Sequence, residues 1–181
     1  LQHLMQLAIG GAGLVMVEAT AVERIGRITH GCMGLYNDSN GRHLARVMAA
    51  ARAVEGPTRF GIQLAHAGRK ASVNLPWKGG KSLAPDADPW PTLAPSAVPF
   101  APGWHTPRAA TETDLERVVA AFVQAAVRAV RVGFEVIELH FAHGYLGHEF
   151  FSPLANQRTD DYGGTLEGRT RLLFRIADAV R

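Results

Sequence analysis

The densest concentration of chemistry-bearing side chains is the run His140-Phe141-Ala142-His143-Gly144-Tyr145. Two imidazoles at this spacing, where a strand gives way to a loop, can both turn toward one point. A neutral imidazole offers one N–H, so the pair can grip a carbonyl, phenolate or nitro oxygen and stabilise charge developing there. Tyr145 adds a hydroxyl able to donate a proton to a nearby carbon or heteroatom. Two other readings stay open for the same residues. The histidines can be satisfied structural groups in a loop. Alternatively, His140, His143, His148 and Glu149 can ligate a metal, as in a barrel hydrolase, with His66 as the ligand such a site needs from another strand.

Gln63 sits near the end of a candidate strand, ahead of Leu64-Ala65-His66-Ala67-Gly68-Arg69-Lys70. Its amide both donates and accepts, as recognition of a pyrimidine-like ring edge requires, although a polar residue at a strand terminus is the plainer reading. Ala19 is small enough for a flat ring to approach the backbone. Glu18 and Glu138 lie in otherwise apolar strands and need partners if buried; a structural ion-pair network is preferred over a catalytic pair. Gly10 to Gly13 precede a strand rather than follow one, so they form no dinucleotide fingerprint, and no Walker-type loop exists. Trp77, Trp90 and Trp104 are expected to pack a loop, and Cys32, with no activating neighbour, is expected to be inert.

The elements that must position these residues alternate between the two periodicities. Residues 1–9 read as a helix tail ended by glycines, and Leu14 to Thr20 as a buried strand. A loop from Gly26 to Asn40 leads to a helix with Leu44, Val47, Met48 and Ala51 on one face, stopped by Gly56-Pro57. A second strand is predicted over 59–66 and a long Pro- and Trp-bearing excursion over 67–111, a length that is usually functional. Thr113 with Glu116 forms a capping box for a helix bearing Leu115, Val118, Val119, Phe122, Ala126 and Ala129 and closed by Gly133. Phe134 to His140 is the third strand, and Thr165 caps a last helix with Leu172, Leu173, Ile176 and Val180. This βα succession predicts a parallel sheet, either a small three-layer α/β domain or consecutive units of an eight-fold β/α barrel. Every polar oddity lies at or just past a strand's carboxyl end, which favours the barrel.

Composition excludes several classes. The chain of 181 residues is 47% hydrophobic and 19% charged, unlike a disordered tail or a disulfide-stapled mini-protein. A formal net charge of +3 without a basic block argues against nucleic-acid binding. No apolar run approaches the ~18 residues of a membrane span. The single cysteine fits a reducing, cytoplasmic compartment. Both ends are expected to continue into something longer, and a barrel slice with unpaired strand edges is expected to aggregate or serve as part of a larger molecule.

Taken together, Val17-Glu18-Ala19-Thr20, Gln63 to Lys70, Ala94-Pro95-Ser96-Ala97, His140 to Tyr145 and Asn156 to Gly164 resemble the Old Yellow Enzyme family, in particular its bacterial NADPH dehydrogenase and xenobiotic reductase branch. The likeness runs end to end and in order. It implies an FMN-binding (β/α)8 TIM barrel, of which residues 1–181 form a partial barrel covering about strands 2 to 4. It further implies an FMN-dependent NADPH dehydrogenase or ene-reductase, with NADPH or NADH as reductant and α,β-unsaturated carbonyls, quinones or nitro compounds as oxidants. The intact protein is expected to take neither a membrane nor a nucleic acid as partner, with a homo-oligomer left open. On this likeness Gln63 binds the pyrimidine end of the isoalloxazine and Ala19 lies beside the ring. His140 and His143 hold the substrate oxygen, and Tyr145 protonates the α-carbon or lines the pocket.

The resemblance also implies a flavin-tuning Cys or Thr on a strand before Leu1, and a flavin-contacting Arg and phosphate site after Arg181. Cys32 is in the wrong place to replace the tuning residue. Gly168 stands where the family often has Asn, and is expected to weaken its helix by up to ~1 kcal/mol. The insertion from Val73 to Leu93 is expected to bear on substrate choice.

Overall fold

The computed structural model describes residues 1–53 and 56–181. In chain order its elements are α1 (Gln2–Ile9), β1 (Leu14–Ala21), α2 (Asp38–Arg52), β2 (Arg59–Ala65), β3 (Leu93–Ala94), β4 (Arg108–Ala109), α3 (Glu112–Val132), β5 (Val136–Leu139), α4 (Leu146–Phe151) and α5 (Leu166–Val180). β2 is the central strand of a three-stranded parallel sheet in the order β1-β2-β5. The α/β class and the parallel sheet agree with the periodicity.

Strand alternation divides this sheet into two unlike faces. Val15 and Val17 of β1, and Phe60, Ile62 and Leu64 of β2, form one core with Leu44 and Met48 of α2, Val118 and Phe122 of α3, and Leu172 and Ile176 of α5. The other face carries Met16, Gly61 and Val136 in one row, then Gln63 and Glu138 in the next. A Cβ at Gly61 would lie 2.7 Å from Met16 Sδ, so the methionine fills the space a side chain there would take. Three buried parallel strands call for cover on both faces, but these helices cover only one. The site residues lie on and around the face without helices.

The helix ends show where local chemistry overrode periodicity. α3 begins two residues earlier than expected: Thr111, not Thr113, is the cap, and its partner is Asp114 rather than Glu116. The earlier box prevails because Asp114 also takes a bidentate grip from Arg108, at 2.6 Å to each oxygen. α2 starts at Asp38, where the Asn37 side chain accepts from Asn40 N at 2.8 Å, inside the expected loop. It ends at Arg52, ahead of Gly56-Pro57; residues 54 and 55 lie outside the described residues. β2 stops one residue short of His66, and β5 spans only Val136–Leu139. Thr165 caps α5 as expected, accepting from Gly168 N at 3.1 Å. Gly168 is more than a weak helix former, since a Cβ there would sit 2.2 Å from Gly163 O.

The excursion is tied down at several points. Val73 N donates to Ile28 O at 3.0 Å, and Trp90 Nε1 to Ile25 O at 3.0 Å, so it packs on the loop that follows β1. Its far part forms the short parallel pair β3–β4, absent from the sequence reading. The Arg158 guanidinium donates to Pro95 O at 3.1 Å and Ala110 O at 2.5 Å, stapling the carboxyl ends of both strands to the last loop. Trp90 and Trp104 pack as expected, against His30 and Phe100. Trp77 does not: it is 79% exposed at the tip of a turn. Among the described residues, no helix is long and apolar enough to cross a membrane.

Candidate active site

The sheet delivers His140 directly. Its backbone N donates to Leu64 O at 2.9 Å, continuing the β2–β5 ladder one residue past the strand, and the residue is 6% exposed. The chain then turns through His143 and Gly144, both left-handed at φ 57° and 74°. Left-handed geometry costs nothing at glycine but disfavours a histidine. This turn folds His143 back toward His140, so the ring centroids are 5.0 Å apart and His143 Nδ1 lies 3.4 Å from His140 Nε2. Two nitrogens at that separation can both reach one oxygen at ordinary hydrogen-bond lengths. Tyr145, at the N-terminus of α4, sets its ring 5.2 Å from that of His140.

Electrostatics favour neutral donors. Burial, reinforced by His143, pushes the His140 imidazole below its ordinary value, and burial likewise raises the Tyr145 phenol. Both groups are therefore uncharged at neutral pH, the state in which each can donate to a developing oxyanion or carbanion.

Gln63 lies one row along the helix-free face. Its Nε2 donates to Glu138 Oε1 at 3.0 Å, across the β2–β5 pair. Only an N–H can meet a carboxylate, so the amide's orientation is fixed, and its carbonyl and second N–H remain for a flat ring edge. On β1 the register slips between Val17 and Thr20, placing Glu18 and Ala19 opposite the single residue Gln63. This bulge brings half-buried Ala19 beside that amide. The expected ion-pair network of Glu18 and Glu138 is not formed among the described residues. Alternation aims both carboxylates at the face without helices, where Glu18 is exposed and Glu138 is held by an amide.

The buried ionic network lies elsewhere. His66 Nδ1 accepts from Gly68 N at 3.1 Å, so the proton sits on Nε2, which donates to Glu23 Oε2 at 3.2 Å. Glu23 also pairs with Arg117, which reaches Asp114 at 3.2 Å. With both ring nitrogens engaged, His66 does not serve the other histidines as a metal ligand. His148 Nδ1 is likewise taken, by Gly144 N at 2.9 Å. Among the described residues no three His, Cys, Asp or Glu side chains converge as a metal site. Cys32 Sγ accepts from Thr29 N at 3.3 Å.

The sequence reading assigned no role to Lys70 and considered Glu149 only as a ligand. Lys70 Nζ donates to His143 O at 2.9 Å and lies 4.8 Å from the Tyr145 ring centroid and 4.9 Å from that of Phe100. Glu149 is 1% exposed; its Oε1 accepts from Arg69 N at 2.9 Å, and Oε2 has no hydrogen-bond partner among the described residues. Burial holds its carboxyl well above the ordinary range. A lysine next to a Gly-Arg turn was the available signal, but its target, a carbonyl distant in sequence, has none.

All of residues 1–181 match the family described as NADH:flavin oxidoreductase / NADH oxidase. The chain belongs to that family, the Old Yellow Enzymes. It is 45% identical over 185 residues to an NADH:flavin oxidoreductase of Gibberella zeae, covering 100% of this chain and 44% of that protein. It is 42% identical over 179 residues to an NADPH dehydrogenase of a Geobacillus species, covering 99% of this chain and 48% of that one. This Old Yellow Enzyme relative thus spans about half the length of the curated proteins it matches. Among solved structures, an Old Yellow Enzyme from Pichia superposes with TM-score 0.83 at 30% identity, over 99% of this chain and 46% of that one. Morphinone reductase, also solved with tetrahydroNAD, gives TM-score 0.79 at 31% identity, over 98% and 49%.

Proposed function

We propose that this protein is an FMN-dependent NAD(P)H oxidoreductase, an ene-reductase that reduces α,β-unsaturated carbonyls, quinones or nitro compounds. The observation that carries the reading is the His140–His143 pair, with ring nitrogens 3.4 Å apart, at a strand end beside Tyr145. Family membership and the NADPH dehydrogenase and tetrahydroNAD titles of its relatives support the reductant.

The residues present fit a flavin's pyrimidine edge. The Gln63 amide keeps one acceptor and one donor after its bond to Glu138, and Ala19 leaves room beside it for a flat ring. When bound, FMN supplies the hydride chemistry. His140 and His143 hold the substrate's carbonyl or nitro oxygen and stabilise the negative charge that develops on it. The Tyr145 Oη gives a proton to the adjacent carbon.

Residues 1–181 act on this reading as one unit, strands 2 to 4 of an eight-fold barrel, with the 67–111 excursion bordering the substrate. Coverage of about half of each matched chain supports that extent. The cytoplasm is the proposed location, on the single cysteine.

The test is a visible spectrum recorded anaerobically, before and after NADPH and then after an enone. A yellow protein that bleaches with NADPH and recovers with the enone is the expected result. A protein that stays colourless after reconstitution with FMN overturns the reading.

A further inference from the structure

We propose that Lys70 is a positioning residue, which holds His143 in its working backbone conformation and fixes the Tyr145 ring beside it. The inference rests on the ene-reductase reading for its consequence but on geometry for its substance. His143 carries a left-handed φ of 57°, a conformation that costs a non-glycine residue energy and persists only when surroundings impose it. Lys70 Nζ donates to the carbonyl of that same residue at 2.9 Å. The ammonium is itself fixed, between the faces of Tyr145 and Phe100 at 4.8 and 4.9 Å. One cation therefore grips the backbone of one proposed site residue and the ring of another.

Lys70 is in turn held from below. It ends the 3-10 turn Gly68–Lys70, in which Gly68 is left-handed at φ 62°. Arg69 N of that turn donates to Glu149 Oε1 at 2.9 Å, and Glu149 lies on α4, the helix that starts just after Tyr145. Leu146 N donates to His66 O at 3.0 Å. The turn after β2 and the loop after β5 are thus bound at three levels, with Lys70 at the one nearest the histidine pair. Without the ammonium, His143 O loses its donor and the left-handed turn its restraint. The two imidazoles then no longer converge.

Lys70→Met and Lys70→Arg, each loaded with FMN, are titrated with para-chlorophenol, whose oxygen needs both imidazoles. The Met variant is expected to bind about tenfold more weakly than wild type, as for loss of a charged hydrogen bond. The Arg variant, which keeps a cationic donor, is expected to recover most of that loss, with FMN retention and thermal stability unchanged in both. Phenol binding by the Met variant within about twofold of wild type overturns the proposal. If Lys70→Met does not fold, Lys70→Gln, too short to reach His143 O, is held to the same outcomes.

A second measurement needs no flavin: the 13Cα shift of His143 in histidine-labelled protein. It should move away from its left-handed value in Lys70→Met, and an unmoved shift overturns the proposal. If wild-type protein binds FMN but no phenol, the ene-reductase reading fails, and the Cα shift alone still decides the role of Lys70.

Discussion

Gln63 and Glu138 face each other across β2 and β5 with the amide nitrogen 3.0 Å from the carboxylate. The pairing makes the carboxylate a clamp that prevents the amide from flipping. The groups Gln63 leaves open on the helix-free face therefore depend on Glu138.

Gln63→Ala is expected to weaken FMN binding by about tenfold, the worth of a good hydrogen bond to a buried edge. Glu138→Gln is expected to weaken it less, by severalfold, because the amide can then adopt either orientation. Flavin-fluorescence quenching on titration with the protein measures both. Equal affinities in all three proteins would remove Gln63 from the flavin site.

The double variant His140→Ala/His143→Ala should stay yellow and be reduced by NADPH, yet lose enone reduction by at least about 100-fold, as for removal of oxyanion donors. Full retention of activity would end the proposed mechanism. Because burial holds the His140 imidazole below its ordinary value of 6.5, its protonation is displaced to lower pH. Rapid mixing of reduced protein with cyclohexenone should accordingly place any acid-side break from His140 below 6.5.

Glu149 links pH to stability in an unusual direction. Burial raises its native carboxyl well above the ordinary 4.5, so between that value and the native one the fold keeps a proton that the unfolded chain has lost. The native state thus binds the extra proton, so this contribution is complete below 4.5 and is lost as pH rises toward the native value. Glu149→Gln, neutral at every pH, should be more stable than wild type at alkaline pH by about 1–3 kcal/mol, and similar to it in acid. Thermal melts across pH check this; a difference independent of pH would show that Glu149 is ionised in the fold.

Asp114 works the other way. The Arg108 side chain, then Thr111, hold its carboxyl well below the ordinary 3.8. Stability from Asp114 is present above 3.8 and lost as pH falls below it. Asp114→Ala should cost about 1–3 kcal/mol at neutral pH through the lost cap and ion pair. Urea denaturation should show that penalty shrinking in strong acid.

Most of the fold was legible because α2, α3, α5 and the three main strands each carry their own period. His140, His143, Tyr145, Gln63 and Ala19 stood out as candidates because they lie in or just past the carboxyl halves of strands, and the structure brings the first three together. What stayed hidden depended on pairings between distant segments. The capping choice at Thr111 was decided by Arg108, the fate of Glu138 by Gln63, and that of His66 by Glu23. Lys70 could not be assigned because its partner is a backbone carbonyl, which no residue type announces. The short α4 has too few residues for a period, and β3–β4 too few for alternation.

The excursion is pinned to the frame at Val73 and Trp90, and again where Arg158 grips Pro95 and Ala110, whereas its turn between Asn74 and Lys81 carries the solvent-exposed Trp77. That division of labour makes the turn a natural site for innovation. Lengthening it costs little, about 0.6 kcal/mol per doubling of a flexible loop. Sequence can therefore drift there, or be grafted there by an engineer, while the anchors hold the rest of the excursion in place.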